Sequence, residues 1–136
     1  MKLNPHLAFN GQCEAAFKFY EKCLDGKIEF MMTYGESPMA EQMPAAMRGK
    51  IIHARVALDD QPLTGADVPA ENYQKPQGLY VLLDVGDALK ADRIFNALAE
   101  NGVVQMPVQE TFWALRFGMC VDQFGTPWMI NCGKPA

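Results

Sequence analysis

The sequence contains an internal repeat, in which one order of segments occurs in the first half and again in the second. A shift of 76 residues places Gly26 on Gly102 and Phe19 on Phe95. Each half begins with a short apolar run, continues with a stretch of helical periodicity that a glycine closes, and returns to an extended run. In order, these segments read PHLAF, CEAAFKFYEKCLDG and KIEFMMTY in the first half and LYVLLDV, GDALKADRIFNALAENG and VVQMPVQET in the second. A repeat of this kind indicates two copies of one supersecondary unit.

The central stretch of each half predicts an amphipathic helix. Its apolar residues recur at the three- and four-residue spacing that places them on one face. Asp87 is placed to cap the second helix, and Gly26 and Gly102 are placed to end the two helices. The predicted buried faces comprise Cys13, Ala16, Phe17, Tyr20 and Leu24 in the first half and Ala91, Ile94, Phe95 and Leu98 in the second.

Each half closes with a predicted β-hairpin, whose turn lies at Asp59 and Asp60 in the first half and at Asp122 in the second. We expect the more apolar face of each hairpin strand to pack on the helix and the opposite face to point away from it. The apolar faces are Ile52, Ala54, Val56 and Leu58, and Leu115, Phe117, Met119 and Val121. The opposite faces are His53, Arg55 and Ala57, and Ala114, Arg116, Gly118 and Cys120.

The sequence therefore predicts an α+β fold of two tandem βαβββ modules. We expect one domain over residues 1–136, with module one at about residues 1–75 and module two at about residues 76–136. A chain of 136 residues has the size of one domain and buries about two thirds of its unfolded surface, so it needs no metal or disulfide to hold a core.

The composition restricts the class of partner. The net charge is −4, the isoelectric point is about 5.1, and no cluster of lysine and arginine occurs, which argues against nucleic acid and anionic membranes as partners. The sequence shows no signal peptide and no run long enough to span a membrane. The cysteines have no metal-type spacing, so we expect reduced, mostly buried thiols and a cytoplasmic protein.

Five segments together carry a resemblance to a known family. They read FNGQCEAAFKFYEKCLDG, TYGESP, IIHARVAL, GAD and QETFWALRFGMCVDQFGTPWMIN. In these segments the chain resembles the PhnB-like branch of the vicinal oxygen chelate superfamily, which includes glyoxalases and bleomycin-resistance proteins. The resemblance implies two modules whose mixed sheets curl around a shared cleft, and a homodimer.

The same resemblance implies a small-molecule-binding protein and leaves open whether it is an enzyme. The alternatives are a divalent-metal-dependent lyase, isomerase or dioxygenase, and a non-catalytic interaction module whose cleft is filled by side chains. The sequence has no G-x-G-x-x-G loop, Walker loop or H-E-x-x-H motif, which argues against a Rossmann-type methyltransferase.

The resemblance also indicates where a metal would bind, on the first and last strand of each module. The positions are Pro5 or His6, Thr64 or Ala66, Leu79 or Tyr80, and Met129. Only His6 is a good ligand for zinc, iron or manganese. We therefore expect no bound metal and no cofactor.

A candidate ligand pocket follows from the two hairpins. Aligning their turns places His53 opposite Arg116, and strand alternation predicts that both face one cavity, where they suit an anionic or carbonyl-bearing ligand. An alternative is that Arg116 bonds Glu110 or Asp122 as a structural residue. Trp113 is a candidate cavity wall, because its ring offers apolar area and one N–H donor.

Two further residues complete the candidate pocket. Gln109 lies on the strand that enters the second hairpin and is a possible polar contact. Asp67 is included because the resemblance places its equivalent near the cleft. The segment GESPMAEQMPAAMRGK, residues 35–50, has no counterpart in the second half. Its length and three methionines are typical of a lid over apolar surface, although a surface excursion explains them equally well.

Overall fold

In the computed structural model, which describes residues 1–135, the chain divides into two compact units. The first is Met1–Gln74 and the second begins at Lys75. Each unit contains one four-stranded sheet and one helix of three turns that covers a face of that sheet.

The first unit follows the predicted order. Its sheet has the strand order β1-β4-β3-β2, with β1 parallel to β4 and the other neighbours antiparallel. The elements are β1 (His6–Phe9), α1 (Cys13–Cys23), β2 (Lys27–Thr33), two 3-10 turns (Tyr34–Glu36 and Ala40–Gln42), α2 (Ala45–Arg48), β3 (Ile51–Leu58), β4 (Gln61–Asp67) and a 3-10 turn (Ala70–Asn72).

The second unit repeats this arrangement. Its sheet has the order β5-β8-β7-β6, and β5 is again parallel to β8. The elements are β5 (Val81–Asp84), α3 (Ala88–Ala99), β6 (Val103–Gln109), β7 (Ala114–Val121) and β8 (Pro127–Gly133). The prediction of an α+β fold with two βαβββ modules is confirmed.

The helices bury the predicted faces. The side chain of Asp87 caps α3 by accepting the backbone N–H of Lys90 at 3.0 Å, as expected of an N-cap aspartate. All nine residues assigned to the two faces are buried, namely Cys13, Ala16, Phe17, Tyr20, Leu24, Ala91, Ile94, Phe95 and Leu98.

Both helices end before the glycines that were predicted to end them. Asp25 (φ 52°) and Asn101 (φ 59°) adopt the left-handed conformation that was expected of the following glycines. Gly26 and Gly102 have a different function: a Cβ on either residue would collide with a backbone carbonyl oxygen of β3 or β7. These glycines therefore allow the chain to pass close to the third strand of each module.

Strand β7 presents the opposite face to its helix from the one predicted. Ala114 and Cys120 are fully buried, and a Cβ on Gly118 would lie 2.8 Å from the ring of Phe95 on α3. The alternating set Leu115, Phe117, Met119 and Val121 is only half-buried. The prediction that this larger apolar set packs on the helix is wrong, because the ring of Phe95 leaves room only for small residues on β7.

Strand β3 follows the prediction except at its first residues. Ala54 and Val56 are fully buried on the helix side, as expected. At the start of the strand, however, Ile51 is buried and Ile52 is only half-buried. A register shift between β2 and β3 places Thr33 opposite Ile51, and such an irregularity interrupts the alternation of faces.

The methionine-rich segment 35–50 is organised by short helical turns. Nε of Arg48 donates to the carbonyl oxygen of Ala40 at 3.2 Å, and the hydroxyl of Ser37 donates to the carbonyl oxygen of Tyr34 at 2.6 Å. Met39 is about half exposed. Its function as a lid stays a prediction. No helix of residues 1–135 has the length and apolar character needed to cross a membrane.

Candidate functional site

One face of the first sheet is not covered by α1 and carries several polar side chains. A Cβ on Gly65 of β4 would meet the ring of Phe17, which identifies the helix-covered face. The neighbouring residue Thr64 therefore points to the other side, because successive side chains alternate. In register across the four strands, this uncovered face carries His6, Thr64, Arg55 and Phe30.

His6 and Thr64 form a hydrogen bond across β1 and β4. Nδ1 of His6 lies 2.8 Å from Oγ1 of Thr64, and the Thr64 hydroxyl donates to the carbonyl oxygen of Pro5 at 3.2 Å. Because a hydroxyl has one proton, Thr64 accepts the N–H of His6 Nδ1. The other ring nitrogen, Nε2, is then an acceptor in neutral His6 and a donor when the ring is protonated.

His53 lies beside His6 on the same face. The two rings are nearly parallel, with centroids 6.4 Å apart and an interplanar angle of 15°. Burial lowers the pKa of His6 below its ordinary value of 6.5, and positive charge on His53 lowers it further. The folded protein therefore favours neutral His6 near pH 7, and an anion bound beside the ring would reverse this preference.

The surroundings of the two imidazoles contain one ion pair and one aromatic ring. Phe30 on β2 approaches the His53 ring with a centroid distance of 5.7 Å. Nε of Arg55 lies 3.4 Å from a carboxylate oxygen of Glu29, and both side chains are about half exposed. This ion pair adds no net charge to the face that carries the imidazoles.

The uncovered face of the second sheet carries a comparable row. Asn131 of β8 lies between Asp84 on β5 and Phe117 on β7, and Gln109 on β6 is in register with Phe117. The amide Nδ2 of Asn131 donates to Oδ1 of Asp84 at 3.0 Å. Its Oδ1 is buried and has no hydrogen-bond partner within residues 1–135. A buried acceptor of this kind favours a ligand or water that donates a hydrogen bond.

Trp113 packs against this row. Its ring makes an edge contact with Phe117, with centroids 5.2 Å apart, and a second one with Phe112 at 4.8 Å. Trp113 is 46% exposed and Phe112 is 88% exposed. Two of the predicted site residues, Trp113 and Gln109, therefore meet at Phe117 on one face of the second sheet.

Arg116 points to the other side of its sheet, so its predicted orientation away from the helix is wrong. Its Nε donates to Oδ1 of Asp92 on α3 at 2.9 Å. It belongs to the same helix-side set as Gly118 because alternate residues of a strand share a face. The alternative partners were also wrong: Glu110 pairs with Lys134 at 3.3 Å, and Asp122 accepts the indole N–H of Trp128 at 2.8 Å.

Asp67 is a structural carboxylate. It is 1% exposed, its Oδ1 accepts the backbone N–H of Cys13 at 3.0 Å, and its Oδ2 accepts that of Ile51 at 2.9 Å. These bonds satisfy the first N–H of α1 and join β4 to the beginnings of α1 and β3. Asp67 was predicted as a ligand contact, and both its oxygens are engaged by the backbone instead.

The positions that would hold a metal do not offer a suitable set of ligands. In the first unit His6 pairs with Thr64. In the second unit Met129 pairs with Leu82, and the other candidate positions, Leu79 and Tyr80, precede β5. Residues 1–135 contain no group of three or more histidine, cysteine or acidic side chains that could hold a metal ion. These residues do not fit a catalytic divalent ion.

The cysteines do not offer a nucleophile. All four are buried thiols. Burial raises the pKa of Cys120 to about 12, and the negative charge of Asp122 contributes to the same shift. Burial likewise raises the pKa of Cys13, with Asp67 as the second cause. Because the thiolate is the reactive form, Cys13 and Cys120 are inert near neutral pH.

Similarity to known proteins agrees with this architecture. Protein PA1353 from Pseudomonas aeruginosa, a solved structure, is 41% identical, covers 99% of both chains and superposes with a TM-score of 0.90. The PhnB protein from Bacillus cereus is 24% identical, covers 98% of this chain and 100% of its own, and gives a TM-score of 0.82. A glyoxylase/bleomycin resistance protein/dioxygenase domain from Frankia sp. EAN1pec, at 14% identity, covers 98% of each chain with a TM-score of 0.66 and shows the same fold.

The fold is therefore that of the glyoxalase/bleomycin-resistance/dioxygenase proteins, and the PhnB-like resemblance is confirmed. Residues 1–131 match the sequence profile of a family described as 3-demethylubiquinone-9 3-methyltransferase, and the chain belongs to that family. Protein YjdN from Escherichia coli K12 is 34% identical over 142 residues, which cover 98% of this chain and 97% of YjdN.

Proposed function

We propose that the protein binds a small anionic or carbonyl-bearing molecule through the uncovered face of its first sheet, with His6 and His53 as the principal contacts. The observation that carries this proposal is the parallel pair of imidazoles, 6.4 Å apart. Thr64 fixes the orientation of His6 through Nδ1, so that Nε2 remains for a ligand.

The chemistry of the pair suits an anion better than a cation. Burial and, to a smaller extent, positive charge on His53 disfavour the protonated form of His6 and lower its pKa. A carboxylate or phosphate oxygen beside the rings offsets these effects and accepts charge-assisted hydrogen bonds. A carbonyl oxygen is a weaker acceptor but makes the same contact. Binding of an anion is then coupled to proton uptake by His6.

The second module, taken by itself, offers Gln109, Trp113 and Asn131 as candidate ligand contacts. The amide of Gln109 offers a donor and an acceptor, the Trp113 ring offers apolar area, and Asn131 Oδ1 is a buried acceptor without a partner among the described residues. Arg116 is not included, because its guanidinium pairs with Asp92 on the helix side. Asp67 is not included either, because backbone N–H groups occupy its carboxylate.

The family description names a methyltransferase, but no residue of this chain is assigned to methyl transfer. Both described sheets are mixed four-stranded sheets rather than the doubly wound parallel sheet that binds dinucleotide-type cofactors. The proposal is therefore restricted to ligand binding. A divalent-metal-dependent enzyme is a second candidate function, but the pairs His6–Thr64 and Leu82–Met129 do not support it.

We also propose that the protein is cytoplasmic and that it forms a homodimer. Four buried thiols suit a reducing compartment, and the family resemblance implies the dimer. Light scattering over the micromolar concentration range tests the dimer directly: twice the chain mass supports it, and the monomer mass contradicts it.

The binding proposal is tested by calorimetric titration with pyruvate and inorganic phosphate. His6→Gln and His53→Gln are expected to weaken binding of at least one probe by about tenfold each, the lower end of the range for a hydrogen bond to a charged group. Asn96→Ala, an exposed substitution on α3, is the control and should bind as the wild type does. Unchanged affinity in both histidine variants contradicts the proposal.

A further inference from the structure

The second unit contains a cavity of about 400 Å³ whose lining residues all belong to that unit. This volume lies near the lower end of the range for small-molecule pockets, about 300–1,000 Å³. Its walls come from the segment before β5, the start of β6, the end of β7 and the turn into β8. The lining residues are Lys75, Pro76, Gln77, Gly78, Leu79, Tyr80, Val103, Gln105, Val121, Gly125 and Pro127.

The backbone at two ends of the cavity is set by glycine. Gly78 (φ 76°) and Gly125 (φ 94°) adopt left-handed conformations that other residues rarely take. A β-branched residue at either position would change the backbone conformation, in the segment before β5 or in the turn before β8. The cavity wall is therefore specified by the sequence.

Two side chains of the cavity lining, Gln105 and Lys75, offer hydrogen-bond donors. The hydroxyl of Tyr80 donates to Oε1 of Gln105 at 3.2 Å, which fixes the amide and leaves its two Nε2 protons to bind an acceptor. Lys75 adds an ammonium group at the rim. Donors without a matching acceptor favour a ligand that accepts hydrogen bonds.

The charge of the lining supports the same conclusion. Lys75 is its one ionised side chain at neutral pH, and no acidic residue lines the cavity. The remaining wall is largely apolar, with Leu79, Val103 and Val121 among its members. A ligand that matches both properties has one anionic group and an apolar body.

We propose that this cavity is a second binding site, which takes a small monocarboxylate with an apolar body. The carboxylate lies between the Lys75 ammonium and the Gln105 amide, and the apolar body lies against Leu79, Val103 and Val121. This site does not depend on the imidazole pair of the first unit.

Three probes of similar length and different charge test the site: octanoate, octan-1-ol and octylammonium. Binding is followed by NMR through the backbone amides of Gln105 and Val121, so that any binding to the first unit is read separately. Octanoate is expected to bind most tightly and octylammonium least. Equal affinity for the three probes, or no shift at these amides with octanoate up to about 10 mM, overturns the proposal.

Two pairs of matched variants locate the interactions. Lys75→Ala is expected to weaken the binding of octanoate about fivefold, equivalent to about 1 kcal/mol for an exposed ion pair, and to leave the binding of octan-1-ol unchanged. Lys90→Ala, on α3, is the control for this variant. Val103→Trp fills the cavity and should abolish the binding of octanoate and of octan-1-ol. Val104→Trp is the control, because Val104 is the next residue and its side chain is also exposed; this variant should still bind both molecules. Equal behaviour within either pair overturns the assignment.

Discussion

The buried carboxylate of Asp67, at the end of β4, accepts the first backbone N–H of helix α1, that of Cys13, at 3.0 Å. The residue before the helix, Gln12, makes no side-chain capping bond. A helix start buried without a partner is destabilising, so the cap is supplied from 54 residues away in the sequence. The second oxygen binds Ile51, and one side chain therefore stabilises two chain segments.

Replacing Asp67 by alanine is expected to lower the free energy of unfolding by about 3 kcal/mol, because two buried N–H groups lose a charged acceptor. Urea unfolding measures the change. The control is Asp60→Ala, in the exposed turn between β3 and β4, which should shift stability by about 0.5 kcal/mol or less. Similar effects for the two variants would show that Asp67 does not have the structural function assigned to it.

A substitution at Gly118 tests which face of β7 lies against α3. An added Cβ would be 2.8 Å from the Phe95 ring and 3.0 Å from Cα of Val108, so Gly118→Ala is expected to cost about 2 kcal/mol through overpacking. At Gly133 a Cβ would meet nothing within 4 Å, which makes Gly133→Ala the matched control. If thermal unfolding found the two variants equally stable, the helix-side assignment would be wrong.

The helices and the order of elements along each module follow from the sequence because their signals are local. The spacing of apolar residues identifies the buried face of a helix without knowledge of what covers it, as Phe17 and Phe95 show. The cap of α3 is a local signal too, because the Asp87 side chain accepts a backbone N–H only three residues further along the chain.

The face of β7 does not follow from hydrophobicity, because the choice depends on the residue opposite. Phe117 is more apolar than Gly118, yet Gly118 lies under the Phe95 ring. Gly65 of β4 lies against the Phe17 ring in the same way. A glycine within an alternating strand is thus the signal for close helix approach, and it favours the correct face in both modules.

The sequence named His53 and Trp113 as candidate site residues, from strand alternation and residue type, and their function stays a prediction. His6 and Thr64 were named only as candidate metal positions, through the family resemblance. Their hydrogen bond was not predicted, because the two residues are 58 apart in the sequence and the register between two parallel strands is not visible in a single sequence. Asn131 was missed for the same reason, since Asp84 pairs with it across β5 and β8.

Arg116 is expected to contribute to stability rather than to ligand binding. Since its ion pair with Asp92 is about one-third exposed on both sides, Arg116→Ala should cost about 1 kcal/mol, and a double-mutant cycle with Asp92→Ala should give a coupling of about 0.5–1 kcal/mol. Affinity for phosphate or pyruvate should not change. A loss of affinity without a loss of stability would assign Arg116 to the ligand site.

The protein is expected to purify without a stoichiometric transition metal, because the pairs His6–Thr64 and Leu82–Met129 provide one imidazole, one hydroxyl and one thioether. Elemental analysis after purification without an affinity-column metal is the test. About one zinc, nickel, manganese or iron ion per chain would contradict the expectation, and loss of that ion in His6→Gln would identify the ligand.

The pH dependence of binding follows from the lowered pKa of His6. An anion that contacts the ring stabilises its protonated form, so the pKa of His6 is higher in the complex than in the unbound protein. Affinity should therefore rise as the pH falls through the pKa of the complex, and should level off below the pKa of the unbound protein. Above the pKa of the complex, binding is weakest.

The most direct test of ligand binding at the imidazole pair is an NMR titration of the histidine ring protons. The chain has two histidines, so His53→Gln assigns the His6 signal without ambiguity. Without ligand, the His6 midpoint is expected below 6.5. With saturating phosphate or pyruvate it should rise, and the protein should take up protons on binding. A His6 midpoint that does not move when either probe is bound would contradict the proposed function.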